Sequence, residues 1–304
     1  VMAMITFPYL AVPLYWVFGR NRFQGYVASR RAGDKVVDAM APKLHAVQAF
    51  PDPHQPEVPG LFPVHERLAE LPFTSGNQVR LLIDGPATFE AIFAAIDAAQ
   101  HYVLVQFFII RDDDIGRQLQ KRLMAKARAG LAVYLLYDEI GSHSLNAAYL
   151  AELTGAGVRV SPFNTTLGWR NRLQLNFRNH RKIVVTDGKT AFVGGHNVGE
   201  ESLGKSPRLG HWRDPHVRLD GPAAALVQLT FLEDWYWATR QTPALAWELT
   251  PAPDGDMPVL VLPTGPADDI ESCDLFFFQA ISAAKKRLWI VSPYFVPDRE
   301  IISA

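Results

Sequence analysis

The sequence predicts an α/β fold in which a mixed, largely parallel sheet is flanked by helices. Three observations lead there. From Gln78 onward short apolar strands alternate with helical patterns, and Gly, Pro or Asp marks each change. Two helix–strand units far apart in the chain resemble each other. The composition, 48% hydrophobic and 20% charged over 304 residues, is that of a chain able to bury a core and excludes disorder. The formal charge of −1 leaves no broad basic face, which argues against nucleic acid as a partner. The single cysteine, Cys273, excludes an internal disulfide and a cysteine-based zinc framework.

Residues 1–19 carry no charge and are expected to form an N-terminal transmembrane helix. Tyr9, Tyr15 and Trp16 suit interfacial anchoring. Pro8 and Pro13 are tolerated there because a membrane helix finds other partners for its freed backbone groups. Arg20, Arg22, Arg30, Arg31 and Lys35 follow at once, so the remainder is expected on the cytoplasmic side. Residues 20–75 are proline-rich and are read as a membrane-proximal linker, followed by a first domain at 76–250. Val79–Ile83 reads as a strand, Ala87–Gln100 as a helix and Tyr102–Ile110 as a buried strand. Ile115–Ala129 reads as a helix closed by Gly130, Leu131–Tyr137 as a strand and Ser144–Gly155 as a helix. Asp138-Glu139 is expected to serve the end of the sheet, with ligand binding as the alternative, and Trp235-Tyr236-Trp237 to pack between layers or touch lipid.

A shift of 186 positions superposes Ala94 on Ala280, Val105 on Val291 and Asp112 on Asp298. Each copy reads as a helix running into a buried strand. The domain is therefore expected to be duplicated, with an incomplete second copy at 251–304. Val1 in place of an initiator Met, and the unfinished helical pattern after Asp298, suggest a piece of a longer protein.

The chemistry concentrates after Glu152. No acidic residue occurs between Glu152 and Asp187, while Arg159, Arg170, Arg172, Arg178, Arg181 and Lys182 do, which suggests a bound anion. The stretch ends in Asn179-His180-Arg181-Lys182-Ile183-Val184-Val185-Thr186-Asp187-Gly188. Two residues apart on an extended strand, His180 and Lys182 leave the same face, so an imidazole and an ammonium can meet one phosphate. Asp187-Gly188 is a hairpin signal, and the carboxylate is expected to fix that hairpin rather than touch the histidine. In Gly194-Gly195-His196-Asn197 the glycines are read as letting the backbone approach a ligand, with the Asn197 amide donating to a phosphate oxygen. Asp214, opening a strand with His216, is expected to orient the His180 ring, with Glu200 and Glu201 as alternatives. His196, His211 and His216 lack a metal-site spacing, and no metal is expected; His216 reads as a packed histidine.

The ordered set His180-x-Lys182-x4-Asp187, Gly194-Gly195-x-Asn197, then His211-Trp212-Arg213-Asp214 and Ser292-Pro293-Tyr294-Phe295, resembles the phospholipase D superfamily, bacterial cardiolipin synthases in particular. The resemblance runs over nearly the whole chain. It implies a phospholipase D-like layered domain with His180, Lys182 and Asp187 as catalytic residues, and Asn197, Gly195 and Arg178 as binders of the substrate phosphate. It implies a phosphatidyl-histidine intermediate, phosphatidylglycerol and anionic membrane lipids as partners, no cofactor, and residence in the bacterial inner membrane. The family carries two such motifs, so little activity is expected from this stretch unless two copies pair as a homodimer. The nearest rivals are another phosphatidyltransferase or lipid hydrolase of the superfamily and a non-catalytic module that binds anionic lipid.

Overall fold

The computed structural model describes residue 9 and residues 61–163, 178–207, 210–265, 272–292, 296–297 and 299–303. The expected membrane helix at 1–19, apart from Tyr9, lies outside the described residues, as do Arg170 and Arg172. Among the described residues no helix is long and apolar enough to cross a membrane.

Helix α1 (Leu61–Ala69) leads into β1 (Thr74–Ile83), α2 (Asp84–Ala98), β2 (Tyr102–Phe107) and α3 (Asp114–Arg128). Then come β3 (Ala132–Tyr137), α4 (Ala147–Gly155) and β4 (Arg159–Pro162). After residue 177 the chain adds β5 (Ile183–Thr186), β6 (Thr190–Gly194), a short 3₁₀ turn at Glu200–Leu203, β7 (Pro215–Asp220) and α5 (Ala223–Thr239). A last strand β8 (Met257–Val259) precedes α6 (Ser272–Ala283) and α7 (Arg299–Ser303).

The sheet runs β4-β3-β2-β5-β6-β7-β1-β8. It is mixed, but it is mostly antiparallel and not largely parallel: β2–β3 and β3–β4 are parallel, while the other five pairings are antiparallel. The reason lies in the connections. Helical crossovers join β2, β3 and β4, and such crossovers make parallel neighbours. From β5 on, the chain turns back through hairpins. Asp187 and Gly188 both hold positive φ, 55° and 68°, and the Lys189 N–H donates to Thr186 O at 3.1 Å, a type I′ geometry that joins antiparallel strands.

Both faces of the sheet are buried, so its central strands are apolar throughout. On β2, Val103 and Val105 face α2, α3 and α4, where they meet Ile92, Ile96, Leu119, Leu123 and Leu153. Tyr102 and Leu104 point the other way, onto Val227, Phe231 and Trp235 of α5. The two-residue alternation thus feeds two cores from one strand. Helix α5 is apolar nearly all round because its far side is also covered: Leu226 and Leu229 pack with Ala69, Leu71 and Trp247. Trp235 and Trp237 are buried in this layer, and the expectation that this cluster packs between layers holds for both.

Two elements fall across the boundaries expected from the sequence. Helix α1, within the stretch read as linker, packs on α5 through Ala69. Strand β8, within the stretch read as the second domain, pairs with β1 of the first. The helix of the second repeat forms, as α6, and among the described residues 288–292 after it lie outside any strand. Val105 is 0% exposed while its repeat equivalent Val291 is 96% exposed. Val105 has strand neighbours on both sides, and residues 288–291 have no strand partner among the described residues.

Candidate active site

The antiparallel turn-backs bring several strand ends to one edge. The C-terminal ends of β2, β3, β6 and β1 and the N-terminal ends of β5 and β7 all lie there. The carboxyl ends of the parallel strands β2 and β3 lie there, and open α/β sheets hold ligands outside such ends. Phe108 follows β2, Asp138 follows β3, His180 and Lys182 precede β5, Asn197 follows β6, Asp214 precedes β7 and Asp84 follows β1.

Phe108 is the platform of the site. The His180 ring stacks on it with centroids 3.9 Å apart and planes 18° from parallel. The Lys182 ammonium lies 5.5 Å from the same ring centre and donates to His180 O at 2.6 Å. The strand begins only at Ile183, so an extended approach to β5, rather than the strand itself, sets the two side chains beside each other. Phe108 had no sequence signal, since a Phe-Phe at a strand end reads as core.

The electrostatics suit a phosphate. Burial lowers the His180 pKa, the Lys182 charge lowers it further and Asp138 pulls it up. Its imidazole is therefore neutral at pH 7. Burial brings Lys182 down to about 8, against the opposing pull of Asp214 and Asp138, so its ammonium persists at neutral pH. Asn197 accepts the Ile109 N–H on Oδ1 at 3.1 Å, which leaves its amide NH₂ as the free donor end. Arg178 is exposed beside the site. Not every cation of the acid-free stretch is available to a ligand: Arg181 pairs with Asp234 at 2.7 Å, and Arg159 bonds the Tyr134 hydroxyl.

Asp214 and Gly195 are placed differently from their expected roles. The charge of Asp214 acts on Lys182 and His196, whereas the carboxylate whose charge acts on His180 is Asp138. The His180 ring leans onto Phe108 at the end of β2, whereas Asp214 sits beyond β6, on the other side of β5. Gly195 has a different reason for being glycine. A Cβ there would fall 2.0 Å from Asp214 Oδ1, so the missing side chain admits the Asp214 carboxylate rather than a ligand. Gly194 likewise gives room to the His216 ring, 2.4 Å from where its Cβ would be. Asp187 stands at the opposite edge of the sheet, roughly 15–20 Å along the strand from His180. There its carboxylate accepts N–H groups from Gln100, His101 and Tyr102 at 2.8, 2.8 and 2.9 Å. It ties the α2–β2 connection to the hairpin and does not meet the histidine.

His196 and His216 are buried with ring centroids 5.7 Å apart. Burial, then His196 and Lys182, push the His216 pKa down to about 3, so it packs as a neutral ring. Among the described residues no group of three or more His, Cys, Asp or Glu side chains is arranged to hold a metal ion.

A three-layer α/β domain thus carries an imidazole and an ammonium side by side at its strand ends. Residues 92–209 match the family model described as "Cardiolipin synthase, PLD-like domain". The chain is 48% identical over 321 aligned positions to cardiolipin synthase A of Pseudomonas fluorescens and 47% identical over 307 to that of Pseudomonas putida. Each alignment covers 100% of this chain and 64% of the relative, so the chain spans about two thirds of the length of these relatives. The phospholipase D family member Nuc from Salmonella typhimurium aligns at 17% identity with a TM-score of 0.41, over 53% of this chain and 96% of that one. Over residues 92–209 the chain is similar to that family, and over its whole length to the cardiolipin synthases A.

Proposed function

We propose that this chain carries one half-site of a cardiolipin synthase, which moves a phosphatidyl group from one phosphatidylglycerol to a second and releases glycerol. The observation that carries the reading is the neutral imidazole of His180 and the ammonium of Lys182 gathered on the Phe108 ring. A ring nitrogen of His180 attacks phosphorus; the new P–N bond replaces the P–O bond to the departing glycerol. The glycerol oxygen takes a proton from a second imidazole, supplied by a second His-x-Lys-x4-Asp motif in further sequence or in a second copy of this chain. That imidazole, now neutral, accepts the proton of the incoming hydroxyl, whose oxygen displaces His180. One diester replaces another, so no nucleotide or oxidant is needed. Lys182, the Asn197 amide and Arg178 hold the phosphoryl oxygens, and their attraction strengthens as charge builds in the transition state.

The uncharged stretch 1–19 and the cations after it support an anchor in the bacterial inner membrane with the site on the cytoplasmic side. The test is conversion of headgroup-labelled phosphatidylglycerol by the full-length protein in mixed micelles. Cardiolipin and free glycerol in equal amounts, lost in His180→Ala, support the reading. Phosphatidic acid as the main product points to a hydrolase of the same superfamily. Lipid binding without turnover, unchanged in His180→Ala, points to a non-catalytic module.

A further inference from the structure

The loop that presents His180 is gripped on both sides by buried carboxylates. Asp138, 1% exposed at the end of β3, accepts the Asn179 backbone N–H at 2.9 Å. Its other oxygen is held by the N–H groups of Ile140 and Gly141 at 2.9 and 2.8 Å, so the carboxylate cannot swing. Asp234, 0% exposed on α5, accepts the Asn179 side-chain amide at 2.8 Å and the Arg181 guanidinium at 2.7 Å. Gln106 of β2 donates to the same carboxylate at 2.7 Å. The Arg181 N–H then donates to Asn179 Oδ1 at 3.0 Å, closing a ring of bonds under His180.

This arrangement is costly unless it has a task. Two buried carboxylates must be desolvated, and one oxygen of Asp138 and both oxygens of Asp234 take donors from Asn179 or Arg181. Neither carboxylate touches the His180 ring. What they share is the residue before His180, and Asp234 also takes the residue after it. We infer that Asp138 and Asp234 are positioning residues: a two-carboxylate clamp on Asn179 and Arg181 that fixes the His180 backbone so its ring lies on Phe108. An imidazole on an exposed approach to a strand would otherwise sample rotamers and backbone positions away from the phosphate, and loss of about 1 Å of register costs on the order of a hundredfold in rate. The inference rests on the reading of His180 as the reacting group.

The test uses the full-length protein with Asn179→Ala, Asp234→Asn, Asp138→Asn and His180→Ala, each followed by steady-state kinetics across pH and by thermal unfolding. Asn179→Ala and Asp234→Asn are expected to lower kcat about tenfold to a hundredfold with KM within about threefold. Asp138→Asn removes the carboxylate that raises the His180 titration, so its acid limb moves to lower pH, which a merely structural residue would not cause. Asn179→Ala is the variant to rely on if an Asp substitution prevents folding, because it leaves both carboxylates and the other donors in place. Wild-type kcat in folded Asn179→Ala, with His180→Ala inactive, overturns the clamp and leaves the catalytic reading standing. Turnover by His180→Ala overturns the catalytic reading and the clamp with it.

Discussion

At the N-terminal end of β5, His180 and Lys182 stay accessible around Phe108; at its C-terminal end Asp187 gives its carboxylate to three backbone N–H groups of residues 100–102. One motif, His-x-Lys-x4-Asp, spans both. The strand between them is four residues long and buried at every position, so the two ends cannot communicate by direct contact. The comparison teaches that spacing in a motif need not mean proximity. The histidine and lysine gather on Phe108, and the aspartate ties the left-handed turn to residues 100–102.

Substitutions at the two ends should separate activity from stability. The largest effect is expected for His180→Ala, a loss of about a thousandfold or more in transfer with the unfolding temperature little changed, read by product formation from labelled lipid. Lys182→Met follows, with kcat lower by about a hundredfold because the charge that meets the phosphoryl oxygens is gone. Asp187→Ala reverses the pattern: about 3 kcal/mol less stable by chemical denaturation, with kcat per folded molecule near wild type. If Asp187→Ala abolished turnover in a fully folded protein, the division between the two ends would fail.

Two pH dependences sharpen the same contrast. Lys182 titrates near 8, so turnover should fall about tenfold per pH unit well above that value, and the limb should vanish from the residual activity of Lys182→Met. The stability effect of the same group has the opposite direction. Between about 8 and its ordinary 10.5 the unfolded chain binds the proton and the folded chain does not, so stability rises with pH across that window. His216, neutral until about 3 in the fold and ordinarily titrating at 6.5, makes stability fall as pH drops through that interval. His216→Leu should flatten this part of the acid unfolding curve, by an amount on the order of a few kcal/mol.

Much of the site was legible because its residues act through local spacing. His180, Lys182 and Asn197 reach one sheet edge because short strands and tight turns leave them nowhere else to go. Asp214 and Gly195 were legible as important but not in their roles, since only the close approach of β7 to β6 makes the glycine a seat for the carboxylate. Phe108 and Asp234 were not legible as site residues, and Asp138 only as the lesser of two readings. Asp138 and Asp234 lie 42 and 54 positions from His180, and an aspartate in an apolar helix carries no local mark of what it will bind.

By itself the sequence determined the alternation of strands and helices, the Asp187-Gly188 turn and the pairing of imidazole with ammonium, because each depends on residues within a few positions of one another. Tertiary structure alone decided the direction of the strands and which carboxylates bond Asn179 and Arg181. Those depend on which surfaces meet, and a strand, a buried charge or a platform exists only once its neighbour has arrived.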